Sequence, residues 1–279
     1  MLPVILGLAS ALSWGTGDFA GGLASRKVGP YRAVMFAEAI GLGAVLLVRP
    51  FFPEAFPDFR SILWSIAAGI IGTVGLIAFF EAMRRGRLSV VAPLSALLGA
   101  VVPVVVGSLV DGLPKAVVLA GVALALFAIV LISREKAPED EEKTEPYLHI
   151  PLLSGIAFGL YFVVMHEASV DYFWGPLIIA RTTGMLSVAA YLLIIRGSFR
   201  VPSGNWHLLA INGIFDVGGN AFYILAGQAG RMDVSAVLGS LYPGMTVFLA
   251  WLILKEKLQI TQWIGILLAL FAIILMTTA

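Results

Sequence analysis

The chain has 279 residues, 59% hydrophobic and only 13% charged, with a formal net charge of +1 and a mean hydropathy of +0.97. About 25% charged residues is usual for a soluble domain, so composition excludes an ordinary soluble domain, and the scattered basic residues exclude a nucleic-acid-binding face. Cysteine is absent, which excludes disulfides, thiolate metal sites and cysteine nucleophiles.

A helix needs about 20 apolar residues to cross the hydrocarbon of a bilayer. Ten segments meet that requirement: 3–24, 31–49, 61–83, 88–109, 115–133, 150–168, 174–196, 206–228, 234–254 and 260–278. They are apolar throughout instead of alternating, which selects helices over the strands of a membrane barrel. The first has no basic n-region and no cleavage site, so it is read as a retained span and not a signal peptide. Trp174, Trp206 and Trp263 stand at the starts of spans, where tryptophan favours the membrane interface.

The connections are short except one. "REKAPEDEEKTEPYLH", residues 134–149, holds six of the 17 acidic residues and two prolines. It reads as a solvated linker between a first repeat, 1–133, and a second, 150–279. With a shift of 144, residues 72–133 fall on 216–277 without a gap, and 16 of the 62 positions are identical. Gly86-Arg87 falls on Gly230-Arg231, and "LALFAI" recurs at 124–129 and 268–273. Five helices per half is an odd number, so the second half must enter the membrane in the opposite sense. The predicted fold is therefore an all-α membrane protein of ten transmembrane helices, arranged as two inverted five-helix repeats, with any substrate held near the midplane between them.

The stretches "ALSWGTGDFAGGLASRKVGP", "RRGRLSVVAPLSAL" and "GSLYPGMTVFLAWLILKEKLQITQWIGILLALFAIIL", in this five-plus-five plan, resemble the EamA-type branch of the drug/metabolite transporter superfamily over nearly the whole chain. The resemblance implies a secondary transporter and not an enzyme. Relatives carry amino acids, other metabolites, choline-like cations, sugars or nucleotide sugars. The family pattern places Tyr-Pro in the fourth and ninth helices. Tyr242-Pro243 fits; the first half departs, with Leu98-Gly99 there and Pro103 one turn later.

Ionisable groups inside spans are costly and mark function. Asp18 lies about 9 Å deep in the first span at 1.5 Å per residue, with Trp14 on the same face at i−4. An acid beside a ring suits a cationic amine. Overlaying the halves with a shift of 148 puts His166 on Asp18 and Phe162 on Trp14, with Tyr161 alongside. Histidine titrates near neutrality and suits a proton step. Asp216 stands near the midplane of the eighth span, with Asn212, Asn220 and Tyr223 in a polar stripe at helical spacing. Glu38 and Arg181 enter from opposite faces and could meet as a structural ion pair; alternatively, Arg181 contacts an anionic substrate group. Pro93, Gly99 and Pro103 in the fourth span, with Gly239, Pro243 and Gly244 in the ninth, are expected to break both helices and serve as hinges.

No HExxH, nucleophile elbow or phosphate loop occurs, and no cofactor or metal is expected. The expected protein is an amino-acid or metabolite exporter of a bacterial inner membrane, with its cavity lined by spans 1, 3, 4, 6, 8 and 9. Its partners are a small-molecule substrate, the lipid bilayer and a proton or other coupling ion, with no nucleic acid. An importer of choline-like quaternary ammonium compounds and a non-transport lipid-handling or assembly protein remain as alternatives. The loop charges place both termini outside by the positive-inside rule, whereas the family resemblance implies that both are cytoplasmic.

Overall fold

In the computed structural model, the described residues are 1–85, 88–110, 112–113, 115–132, 149–255 and 259–277. Every regular element among them is helical: α1 (Leu2–Val28), α2 (Pro30–Val48), α3 (Phe59–Arg85), α4 (Leu88–Val110), α5 (Ala116–Ile132), α6 (His149–Ala168), α7 (Trp174–Ile194), α8 (Trp206–Ala229), α9 (Met232–Gly239), α10 (Tyr242–Leu254) and α11 (Ile260–Thr277), with two short 3₁₀ turns. Among the described residues, six helical stretches are long and apolar enough to cross a membrane: Pro30–Phe51, Phe59–Arg85, His149–Ala168, Trp174–Ile194, Ser203–Ala229 and Met232–Leu254. Stretches of this length and composition are what a multi-pass integral membrane protein needs. Most of the predicted linker and Gly86-Arg87 lie outside the described residues.

The helices start and stop where backbone chemistry dictates. Gly29, with φ of +85°, ends α1 and begins α2, a conformation that glycine alone adopts without strain. Pro30 then occupies the first turn of α2, where its missing N–H costs nothing. Trp174 and Trp206 open α7 and α8 as expected. The outer faces expose large apolar side chains, among them Leu47, Ile194, Leu193 and Leu267. That is the surface of a protein solvated by lipid.

The ninth predicted span is two helices. Tyr242-Pro243 starts α10 afresh after α9 ends at Gly239, so the chain breaks at Ser240-Leu241. The matching break expected in the fourth span does not form. α4 runs unbroken from Leu88 to Val110, through Pro93, Gly99 and Pro103. A proline is tolerated inside a membrane helix where surrounding helices re-satisfy the freed backbone groups; the Pro93 side chain itself lies outside what is described.

Contacts between the two halves come in exchanged pairs. α1 packs on α8 and α6 on α3; α1 on α9 and α10, and α6 on α4; α2 on α8, and α7 on α3. Register gives their directions. Ser10 Oγ donates to the Gly219 carbonyl at 2.8 Å and Ser13 Oγ to that of Phe215 at 2.6 Å, so α1 and α8 are antiparallel. Ser61 Oγ donates to the Ala168 carbonyl at 2.6 Å, and Gly72 and Gly75 meet Tyr161 and Phe158, so α3 and α6 are antiparallel too. Gly7 meets Leu238 and Gly15 meets Tyr242, so α1 runs parallel to the α9–α10 line; Gly155 meets Ser95 and Gly159 meets Val102, so α6 runs parallel to α4.

Small residues make these approaches possible. At Gly17 a Cβ would lie 3.1 Å from the Asp216 backbone nitrogen, and at Gly69 only 2.5 Å from the Ala180 carbonyl oxygen. Side chains there would push the helices apart and open the centre of the molecule.

Candidate functional site

The close crossings of α1 with α8 and of α3 with α6 and α7 leave a cavity between the halves. It encloses about 630 Å³ of empty space, counted out to its mouth.

Its polar wall is built from four charged side chains on four helices. Asp18 comes from α1, Glu38 from α2, Arg181 from α7 and Asp216 from α8. Each is only 5–6% exposed. Arg181 Nη1 donates to Glu38 Oε2 at 2.9 Å. The same nitrogen also forms an ion pair with Asp216 Oδ2. Arg181 thus bridges two carboxylates. Asp18 has no hydrogen-bond or ion-pair partner among the described residues, although it is buried and lines the cavity.

Asn220 and Tyr161 extend this polar wall. Asn220 donates through Nδ2 to the Asp216 carbonyl at 2.7 Å, and the Tyr161 hydroxyl is hydrogen-bonded to Asn220 Oδ1. The Thr73 hydroxyl, also on the wall, is buried with no hydrogen-bond partner among the described residues. The opposite character is aromatic. Trp14, Phe158, Phe162 and Tyr242 line the space, and Trp14 packs on Phe162 with ring centroids 5.4 Å apart. The Tyr242 hydroxyl is anchored to the Ala92 carbonyl at 3.1 Å.

The sequence expectations divide accordingly. Trp14, Asp18, Tyr161, Phe162, Asp216, Asn220 and Tyr242 meet at one cavity. Tyr223 and Asn212 do not reach it. Tyr223 stands behind the wall, fully buried, with its hydroxyl on the Phe162 carbonyl at 2.7 Å and its ring against Trp14. Asn212 is buried further along α8, where it abuts Gly21 of α1. His166 is also off the cavity. It faces Gly227 of α8, because α6 turns Phe158, Tyr161, Phe162 and Met165 inward.

Two corrections concern whole helices. The cavity uses α2 and α7, which were not expected to line it, through Glu38 and Arg181. No described side chain of α4 lines it. Glu38 and Arg181, expected as a structural ion pair or an anion contact, do pair, and they form part of the wall together with Asp216. Span 3 was expected at the cavity, but the residues by which α3 lines it were not singled out. Their signal is "GIIGTVG", residues 69–75, with glycine every third residue. Gly69, Gly72 and Thr73 line the space.

Comparison with known proteins agrees with this architecture. One solved structure, titled "Crystal structure of protein", matches with a TM-score of 0.80 and 16% identity, over 99% of this chain and 96% of that one. At that identity the match shows the fold. No curated protein matches the chain. The family model for the "EamA-like transporter family" matches twice, over residues 1–134 and 147–278. The two matches cover both halves on either side of the acidic stretch, and the chain belongs to the EamA-like transporter family, whose members are membrane transporters of small molecules.

Proposed function

We propose that the protein exports a small, amphipathic, amine-bearing metabolite across a bacterial inner membrane. It works by alternating access between two halves, 1–133 and 150–279, of an inverted repeat that crosses the membrane ten times, with α9 and α10 forming one broken crossing. The observation that carries the reading is Asp18. A carboxylate buried at a cavity wall with no partner is costly, and a cationic group on the solute would relieve that cost. Trp14, Phe162 and Tyr242 would cover the apolar part of the solute, and an aromatic face attracts an ammonium group.

The directions of the helices support the inverted repeat, since α1 and α6 run oppositely. The ties between halves support alternating access, because they differ between the two ends. At one end the Glu54 carboxylate accepts from the N–H groups of Phe173, Trp174 and Gly175 at 2.7, 2.9 and 3.3 Å, and Arg60 pairs with Glu167 at 2.8 Å. At the other end, Arg32 donates to the Arg200 carbonyl at 2.8 Å and Tyr31 packs on Tyr191. The second end is held by fewer polar ties than the first. No nucleotide-binding motif occurs in the sequence, so a solute or ion gradient drives the cycle.

Counterflow in proteoliposomes tests the reading. Wild-type protein should accumulate a labelled amine against its unlabelled form. Asp18→Asn, matched in size and verified as monodisperse, should lose that accumulation. An Asp18→Asn protein that transports like wild type removes Asp18 from the mechanism.

A further inference from the structure

The geometry points to a substrate class narrower than amine-bearing metabolites: the cavity takes an organic cation that has no carboxylate. This inference rests on the transport reading above and specifies what the same site selects.

Among the described residues the wall holds three carboxylates, Asp18, Glu38 and Asp216, against one guanidinium, Arg181. All four are buried, so water screens them little. The single positive charge is already shared. Arg181 Nη1 contacts both Glu38, at 2.9 Å, and Asp216. The remaining carboxylate, Asp18, is unpartnered among the described residues and lines the same space. Gly17 packs directly on the backbone of Asp216, so Asp18 rises from a chain segment in contact with that of Asp216.

An ammonium or quaternary ammonium group entering here meets an unpaired carboxylate and several ring faces. It gives the lone carboxylate a counter-charge without disturbing any existing contact. A free amino acid brings the same ammonium together with a carboxylate. That carboxylate would need a positive partner, and Arg181 is the only basic side chain on the wall among the described residues. If it displaced Glu38 or Asp216, it would leave a buried carboxylate unpaired, which is strongly unfavourable. If it reached the remaining guanidinium N–H groups, it would be the third carboxylate on one positive charge. The Thr73 hydroxyl and the Asn220 amide on the wall are neutral and cannot offset that. The network of Arg181, Glu38 and Asp216 therefore acts as a filter against carboxylates, while Asp18 receives the cation.

The test uses solutes that differ by the carboxylate alone. Wild-type proteoliposomes are assayed for counterflow with tyramine and tyrosine, phenethylamine and phenylalanine, and cadaverine and lysine, each labelled. The expected result is saturable counterflow of at least one amine, with its parent amino acid disfavoured by about a hundredfold or more in transport efficiency. Asp18→Asn should abolish amine counterflow, and Asp18→Glu should keep part of it. An amino acid carried as well as its decarboxylated partner overturns the carboxylate filter and leaves amine transport standing. Silence from both members of every pair, with folded protein, overturns the filter and the amine-transport reading together.

Discussion

The loop joining α2 to α3 offers the most direct test of how the halves are held. Glu54 lies in that loop, in the first half, and reaches the start of α7 in the second. Its carboxylate accepts three backbone N–H groups at 2.7, 2.9 and 3.3 Å. Those donors belong to the first turn of a helix and have no partners within it. The loop is fixed from its own side as well. Arg49 donates to the Glu54 carbonyl at 2.8 Å, and Phe52 stacks on Trp174 with centroids 5.8 Å apart. Losing a capping acceptor costs about 0.5–2 kcal/mol, and the negative charge at a helix N-terminus adds about 0.3–1 kcal/mol. Glu54→Ala should therefore destabilise the protein by about 2 kcal/mol. At about 2–4 °C per kcal/mol for a chain approaching this size, its melting temperature should fall by about 4–8 °C. Glu54→Gln keeps an acceptor and loses the charge, so it should fall by about half as much. Tryptophan fluorescence during thermal denaturation of purified protein in detergent reads both shifts. If Glu54→Ala melts within about 1 °C of wild type, water satisfies the α7 amides equally well and Glu54 does not tie the halves.

Three further outcomes follow from the packing around the cavity. Arg181→Met leaves Glu38 and Asp216 buried without their shared cation; it should cost about 3–5 kcal/mol, read as a large drop in melting temperature or loss of the folded peak on size exclusion. Gly69→Ala places a Cβ 2.5 Å from the Ala180 carbonyl oxygen; parting α3 from α7 should cost about 1–3 kcal/mol and lower the melting temperature. Gly43→Ala, on an open face of α2 with nothing within 4 Å, should instead leave stability unchanged or raise it by up to about 1 kcal/mol; if both alanines behave alike in the same melting assay, glycine is not what sets the α3–α7 approach.

The helices were legible because membrane composition leaves little choice. Twenty apolar residues in lipid must satisfy their own backbone, and a helix does so. The repeat was legible in "LALFAI" and in the register of residues 72–133 on 216–277. The site was legible where cost marks it, at Asp18, Asp216, Glu38 and Arg181. What sequence could not supply was which of these groups meet. Asp216 has Asn212, Asn220 and Tyr223 as its helical neighbours, yet its strongest partner is Arg181 on another helix. That pairing depends on how close α7 comes to α8 and α3, which the glycines of α3 decide. The Glu54 tie was invisible for the same reason: an exposed-looking acid in a loop caps a helix more than a hundred residues away. His166 misled because the overlay with Asp18 is sound for the backbone and says nothing about which face of α6 turns inward.

That failure separates the symmetry of the scaffold from the chemistry of the site. The overlays pair Trp14 with Phe162, Gly72 with Asp216 and Leu76 with Asn220, and all six line the cavity. Position is therefore shared between the halves. Charge is not. Asp18 maps onto His166, which lies off the wall, and Asp216 maps onto a glycine. Packing that exchanges between halves would let the two halves trade arrangements about a pseudo-twofold, as the alternating access proposed above requires. A bound cation held by symmetric charges would have two equivalent half-sites to move between. Asp18 and the Arg181-bridged pair have no such counterparts, so in the transport reading proposed above a bound cation would keep the same contacts in both states. The broken α9–α10 crossing, facing an unbroken α4, is a second departure from the symmetry of the scaffold.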